Sequence, residues 1–164
     1  MLKLDDLDQA IIEFLHQDGR TPSAEIAREL EMSPRTVQNR IQRLVDQGVI
    51  QILAVVNPAA FGFGMLVDIF CEIEAGHLDQ AIDEIQKMPN VTCISISTGD
   101  EDISLQAIFR DSAELHEFIT RRLHQVPGLQ RSRTVLLTRL LKSTCQWFPS
   151  KEAFERPADN SANG

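Results

Sequence analysis

The hydrophobic positions change rhythm along this chain. In the first fifty residues they recur every three or four positions. Leu7, Ile11, Phe14 and Leu15 follow Asp5-Asp6 and predict a helix with an acidic first turn, ended by Gly19. Ala24, Ile26, Ala27 and Leu30 predict a second, short helix, with Thr21 as N-cap and Pro22 at the first helical position. Ser33-Pro34 repeats that device. Val37, Ile41 and Leu44 then predict a third helix running to Gln47 and closed by Gly48. Only Glu31, Met32 and Ser33 separate the second and third helices, and so tight a joint predicts a helix-turn-helix.

After Gly48 the period shortens. Val49 to Val56 is rich in β-branched residues and is broken by Asn57-Pro58, which predicts a wing or linker strand. Gly62 and Gly64 mark a boundary. From Met65 to Ala75 the centre alternates, with Val67, Ile69, Cys71 and Ile73 on one side, and predicts a strand. Leu78, Ala81, Ile82 and Ile85 predict a helix to Met88. Val91–Thr98 and Ile103–Arg110 predict two strands joined by a turn at 99–102. Ser112 is the expected cap of a helix carrying Leu115, Phe118, Ile119 and Leu123, ended by Pro127-Gly128. A last strand lies within Leu129–Lys142. The order βαββαβ is ferredoxin-like. The predicted fold class is therefore α+β, a winged helix-turn-helix followed by a ferredoxin-like βαββαβ domain. The expected divisions are 1–50, a linker strand over 51–64, the second domain over 65–142 and a tail over 143–164. Helices on one face leave the other sheet face bare. Ile94, Ile96 and Leu105 are expected there, under a second subunit.

Charge sharpens this picture. The chain carries 16 Lys+Arg against 24 Asp+Glu, a formal net charge of −8. The acids concentrate in the middle: residues 65–118 sum to −10, whereas residues 20–64 sum to +1. Ser33 to Val45 holds Arg35, Arg40 and Arg43 and no acid. A nucleic-acid site is therefore expected as a local patch on an otherwise anionic protein. On a helical wheel Val37, Ile41 and Leu44 share a narrow core arc. Arg35, Asn39 and Gln42 lie opposite, Thr36 and Arg43 at the edge, and Gln38 and Arg40 on the flanks. Arginine, asparagine and glutamine make bidentate bonds to base edges, which a generic solvated face rich in Glu and Lys would not. Ser33, at the helix start, is expected to bond a phosphate with help from the helix dipole. Arg40 is expected to contact phosphate without regard to sequence.

Other chemistry is sparse. His16, His77, His116 and His124 show no ligand spacing, and there is no phosphate-cradling glycine loop or nucleophile elbow. No cofactor is expected. The three cysteines, Cys71, Cys93 and Cys145, lack a CxxC spacing and fit reduced thiols of a cytosol, Cys71 and Cys93 as small buried hydrophobes. The N-terminus lacks a secretory pattern, and no apolar run reaches the length of a membrane span. Trp147-Phe148-Pro149 is a candidate docking segment, on the body or on a neighbour. Arg156 to Gly164 has the composition of a disordered tail.

The stretches LDDLDQAIIEFLHQDGR, IARELEMSPRTVQNRIQRLVDQGVI, STGDEDISLQAIF and VPGLQRSRTVLLTRLLK, in that order, closely resemble the Lrp/AsnC (feast/famine) transcription regulators of bacteria and archaea. The likeness spans residues 2–142. It implies a sequence-specific, double-stranded-DNA-binding regulator that responds to an amino acid or related metabolite and acts in the cytoplasm, at the nucleoid. It further implies a homodimer, with an octamer as the expected higher assembly. Arg35, Thr36, Gln38, Asn39, Gln42 and Arg43 occupy recognition-helix positions. Gly99, Asp100 and Asp102, with Thr98 ahead of them, match the loop of an effector pocket, and Thr134 and Leu136 match strand positions near it. A carboxylate there suits an α-ammonium group, and backbone N–H groups suit an α-carboxylate. Glu101 departs from the family's usual aromatic residue, Ile103 from a frequent tyrosine or other large apolar residue, and Glu31 from a common glycine in the turn. The competing readings are a metabolite sensor without DNA binding and a haem-pathway decarboxylase of similar two-domain design. The polar face of the third helix favours DNA and a non-catalytic role.

Overall fold

The structure, a computed structural model, describes residues 4–143, 146–150 and 154. The readings for Cys145, the extreme N-terminus and the tail from Arg156 lie outside these residues. The chain forms two units. One comprises Met1–Val55 together with Lys142–Gly164, and the other Val56–Leu141.

The first unit holds three helices: α1 (Asp6–Gln17), α2 (Ser23–Glu29) and α3 (Pro34–Asp46). α1 starts in a capping box. Asp5 accepts from the Asp8 amide, and Asp8 accepts from the Asp5 amide. α2 begins one residue later than its proline predicts. Pro22 itself is the N-cap, and the Thr21 hydroxyl bonds back to the Asp18 carbonyl at 2.7 Å instead of capping. α3 starts as expected, with the Ser33 hydroxyl accepting from the Thr36 amide at 3.1 Å. Ile11, Ile12, Ile26, Ala27, Val37 and Leu44 form the core. Phe154 is buried in the same cluster, and Phe148 packs against it. Phe148 also lies 4.7 Å from the His16 ring and 5.7 Å from Phe154. The docking expectation therefore belongs to Phe148, while Trp147 is exposed.

Residues 50–57 carry no strand, which corrects the predicted wing or linker strand. β-propensity supplies side chains that suit a sheet, but a strand needs a hydrogen-bonded partner, and the described residues offer none here. Ile52, Leu53, Val55 and Val56 stand exposed along this segment. A short 3-10 turn, Pro58–Phe61, follows.

The second unit runs β1 (Met65–Ile73), α4 (Leu78–Ile85), β2 (Val91–Ile96), β3 (Ile103–Phe109), α5 (Ser112–Arg121) and β4 (Leu129–Leu137). Asp111 caps α5, one residue ahead of the predicted Ser112. The strands pair antiparallel in the order β2-β3-β1-β4. Val67, Ile69 and Cys71 of β1 pair with Ala107, Leu105 and Ile103 of β3. Paired residues share a face, so these side chains meet Ala81 and Ile85 of α4 and Phe118 of α5 in one core. Burial pushes the Cys71 thiol up to about 12.

Two expectations about the sheet change. Leu105 and Ile94 pair with each other on the helix-covered side, and Ile96 shares that side through Ile103; none of the three lies on the bare face. The bare face instead carries Leu66, Asp68, Phe70 and Glu72 of β1, with Arg131 and Arg133 opposite on β4. Cys93 is exposed rather than buried. A register shift between Val91 and Cys93 breaks simple alternation, placing Cys93 opposite Gln106 on the bare side.

Candidate functional site

The candidate DNA-contacting surface is built by α3 and the turn before it. Residues 30–33 join α2 to α3, and Glu31 in that turn adopts a left-handed conformation, φ 53°. This is the position where a glycine would relieve the strain. The Met32 amide bonds the Ala27 carbonyl at 2.8 Å and holds the turn closed. Val37 and Leu44 bury one face of α3 completely. On the solvent side stand Arg35, Thr36, Gln38, Asn39, Gln42 and Arg43, all exposed, as the wheel predicts. Gln42 donates to Asp46 one turn on, at 2.7 Å. The Ser33 hydroxyl lies 2.7 Å from that of Thr36 and caps the helix, so its first role is local.

Arg40 differs from its expected place. Its Nη1 donates to both carboxylate oxygens of Asp5, at 2.7 and 2.8 Å, and to Asp8 at 2.8 Å. Its side chain is 23% exposed and Asp8 is fully buried. Arg40 thus joins α3 to α1 rather than standing open to a phosphate. The wheel placed it on a flank; it could not show that α1 brings two carboxylates to that flank. Arg43 donates to the other oxygen of Asp8 at 2.5 Å while remaining partly exposed. Bonding to Arg40 holds the Asp5 carboxyl below its usual range and raises the Arg40 guanidinium above its own.

In the second unit the loop after β2 turns at Gly99, φ 152°. The Ser97 amide bonds the Asp102 carbonyl, and the Ser97 hydroxyl the Glu101 carbonyl, each at 2.9 Å. Asp102 does not stand open to a ligand. Its amide donates to the Cys71 carbonyl at 2.9 Å, and its carboxylate accepts from the Ile73 amide at 2.7 Å. It therefore continues the β1–β3 ladder past the end of β3. Thr98, Gly99 and Asp100 are exposed.

Asp100 lines a shallow cleft of about 150 Å³ with Phe70, Glu72, Glu101, Arg131 and Arg133. Arg133 pairs with Glu101 at 2.8 Å and lies 4.3 Å over the Phe70 ring. Arg131 pairs with Glu72 at 3.4 Å. Thr134 and Leu136 are not brought to this cleft. They pair with Ile69 and Val67, whose side chains face the helices, and so occupy the opposite side of β4. Of the expected effector residues, Asp100 alone lines the cleft. The others in its lining were missed. The alternation of Arg131 and Arg133 was a visible signal, but their partners on β1 come from register, which sequence does not print.

Family comparisons follow the two units. A model described as an AsnC-type helix-turn-helix domain matches residues 4–45, and one for the Lrp/AsnC ligand binding domain matches residues 66–147. An uncharacterized HTH-type transcriptional regulator of Pyrococcus abyssi is 34% identical over 142 residues, 86% of this chain and 90% of the relative. The HTH-type transcriptional regulator FL11 of Pyrococcus furiosus is 32% identical over 144 residues, 87% of this chain and 95% of the relative. Among solved structures, a Neisseria meningitidis transcriptional regulator in complex with L-Met superposes with a TM-score of 0.82 at 25% identity, covering 88% of this chain and 96% of that one. Escherichia coli AsnC superposes at 0.81 with 22% identity, covering 87% and 97%.

Proposed function

We propose a mode of action from one premise: this chain belongs to the Lrp/AsnC family of transcriptional regulators. The family accounts for a DNA-binding helix-turn-helix and a ligand-binding domain on one chain. The single observation that carries the DNA reading further is the solvent face of α3. It presents Arg35, Gln38, Asn39 and Gln42 on a helix whose other face is locked in the core. Those side chains suit base edges in a major groove, with Thr36, Arg43 and Ser33 suited to backbone contacts at the helix start and edge. Arg40 is assigned to the joint with α1 instead.

The protein acts as a homodimer, which places two such helices on successive major grooves, about 34 Å apart. The exposed apolar segment at 52–56 and the bare sheet face are the surfaces proposed to pair, since among the described residues the segment's backbone has no hydrogen-bond partner and Ile52, Leu53, Val55 and Val56 stand exposed. Dimers then assemble further, an octamer being the expected particle. The effector is an amino acid or a close relative, a reading supported by the L-Met complex of the Neisseria regulator. It engages the loop at Thr98, Gly99 and Asp100, with the Asp100 carboxylate for an ammonium group. Thr134 and Leu136 are left to face another copy. Effector binding favours one assembly over another and so changes DNA occupancy. The protein works by binding, not catalysis, in the cytoplasm where its DNA lies. Among the described residues no helix is long and apolar enough to cross a membrane.

Fluorescence anisotropy on the native upstream DNA and on a scrambled duplex, at two salt concentrations, tests this. Tighter binding to the native fragment is expected, and amino acids are then titrated in. Equal or absent binding would reduce the α3 face to a solvated surface and return the sensor reading.

A further inference from the structure

Charge on α3 is not all available to DNA. Arg40, Arg43, Asp5 and Asp8 form one bonded cluster of two cations and two carboxylates. A single nitrogen of Arg40 meets three carboxylate oxygens. A phosphate approaching that guanidinium would also approach the half-exposed Asp5 carboxylate and be repelled by it. Arg43 gives one nitrogen to Asp8 and keeps its other side exposed. Arg35, at the start of the same helix, has no hydrogen-bond or ion-pair partner among the described residues. The side chains beside it, Gln38, Asn39 and Gln42, are neutral.

The sequence-independent part of DNA affinity rises with each phosphate that a cation neutralises. Three open arginines on one helix would raise binding to any duplex alike. Here the acidic α1 start removes one and half-occupies another. We propose that Asp5 and Asp8 set the sequence-independent strength and the salt dependence of DNA binding. They hold Arg40 and one nitrogen of Arg43 away from phosphate, which limits the affinity for any duplex and the number of counterions that binding releases. This rests on the DNA-binding function of α3.

Asp8 is fully buried between two arginines, and its replacement risks unfolding the unit. Asp5 is the better probe. Asparagine and serine both serve as N-caps, so Asp5→Asn and Asp5→Ser keep the start of α1 while removing the charge. The full-length variants are titrated on the native upstream duplex and a scrambled one across a salt series, with thermal melts verifying folding. With Arg40 of both subunits turned to phosphate the salt slope grows by about 1.8, so affinity falls about 12-fold further than wild type between 50 and 200 mM salt. Affinity for both duplexes rises at low salt by a similar factor, and the native-to-scrambled ratio stays near the wild-type value. Adding Arg40→Gln restores the wild-type slope. A purely structural role would weaken both duplexes and leave the salt slope unchanged, which overturns the proposal. So does a variant identical to wild type. A wild-type protein that binds neither duplex overturns the DNA reading as well, an outcome distinct from a discriminating wild type with silent Asp5 variants.

Discussion

Removing the Asp102 carboxylate separates a structural role from a ligand role in the loop. β3 begins at Ile103, so the last antiparallel pair it makes with β1 is Cys71 with Ile103. Beyond that point the Ile73 amide would have no partner on this side. The Asp102 carboxylate takes it at 2.7 Å, close to where β1 shifts register against β4 between Glu72 and Ile73. A partly buried amide left unsatisfied costs about 1–3 kcal/mol, and a bond to a charged acceptor lies toward the upper part of that range. Partial access of water at Ile73 lowers it, so Asp102→Ala is expected to cost about 1–2 kcal/mol. For a unit of this size that is a fall in melting temperature of about 4–8 °C per kcal/mol. Asp102→Asn keeps an oxygen acceptor and loses only the charge, so it recovers most of the loss. The assay is urea unfolding of the full chain, paired with hydrogen exchange at the Ile73 amide, which speeds up in the alanine variant. An unchanged unfolding midpoint and unchanged exchange, with loss of effector response alone, would refute this reasoning and return Asp102 to the effector site.

Further outcomes follow from other residues. Glu31→Gly relieves a left-handed backbone worth about 1–2 kcal/mol, against about 0.5–1 kcal/mol of glycine entropy. A small gain in melting temperature is expected, and a loss would show that the Glu31 side chain contributes more than its backbone costs. Phe154→Ala removes a buried ring from the first unit, and the free energy of unfolding should fall by about 1.5–3 kcal/mol, read from thermal melts. Gln42→Ala is expected to change base preference at one position of the site with an unchanged salt slope, read from a panel of single-base variants. The Asp5 carboxyl is held low chiefly by its bond to Arg40, so its stabilisation is complete above the ordinary value of 3.8 and is lost as pH falls through the lowered folded value. Acid melts below pH 4 should therefore steepen for wild type and flatten for Asp5→Asn.

The elements of this protein were legible because their signals are local. Ser33-Pro34 and the capping box at Asp5 are set by residues three apart. The alternation of Val67, Ile69 and Cys71 fixes which side of β1 is buried, whatever lies next to it. The solvent face of α3 followed from its core face by the same period. Where local cues competed, the boundary moved by one residue, as at Pro22 and Asp111. Pairing between distant segments was not legible. Nothing near Arg40 in the chain says that Asp5 and Asp8 will reach it, because that contact depends on how α1 crosses α3. Leu105 lies in the same kind of alternation, with Ile103, Ala107 and Phe109 against Ser104 and Gln106, so its buried side was legible and the bare-face expectation misjudged it. Which residues of β1 and β2 it meets depends on register. The strand predicted over 49–56 shows the same limit: its residues suit a sheet, but only a partner's backbone could make it one. The sequence by itself determined the periods, caps and turns and thereby the order of elements. Tertiary structure alone decided which charges neutralise each other and which residues meet across the strands, since both depend on distances between residues that the chain order does not fix.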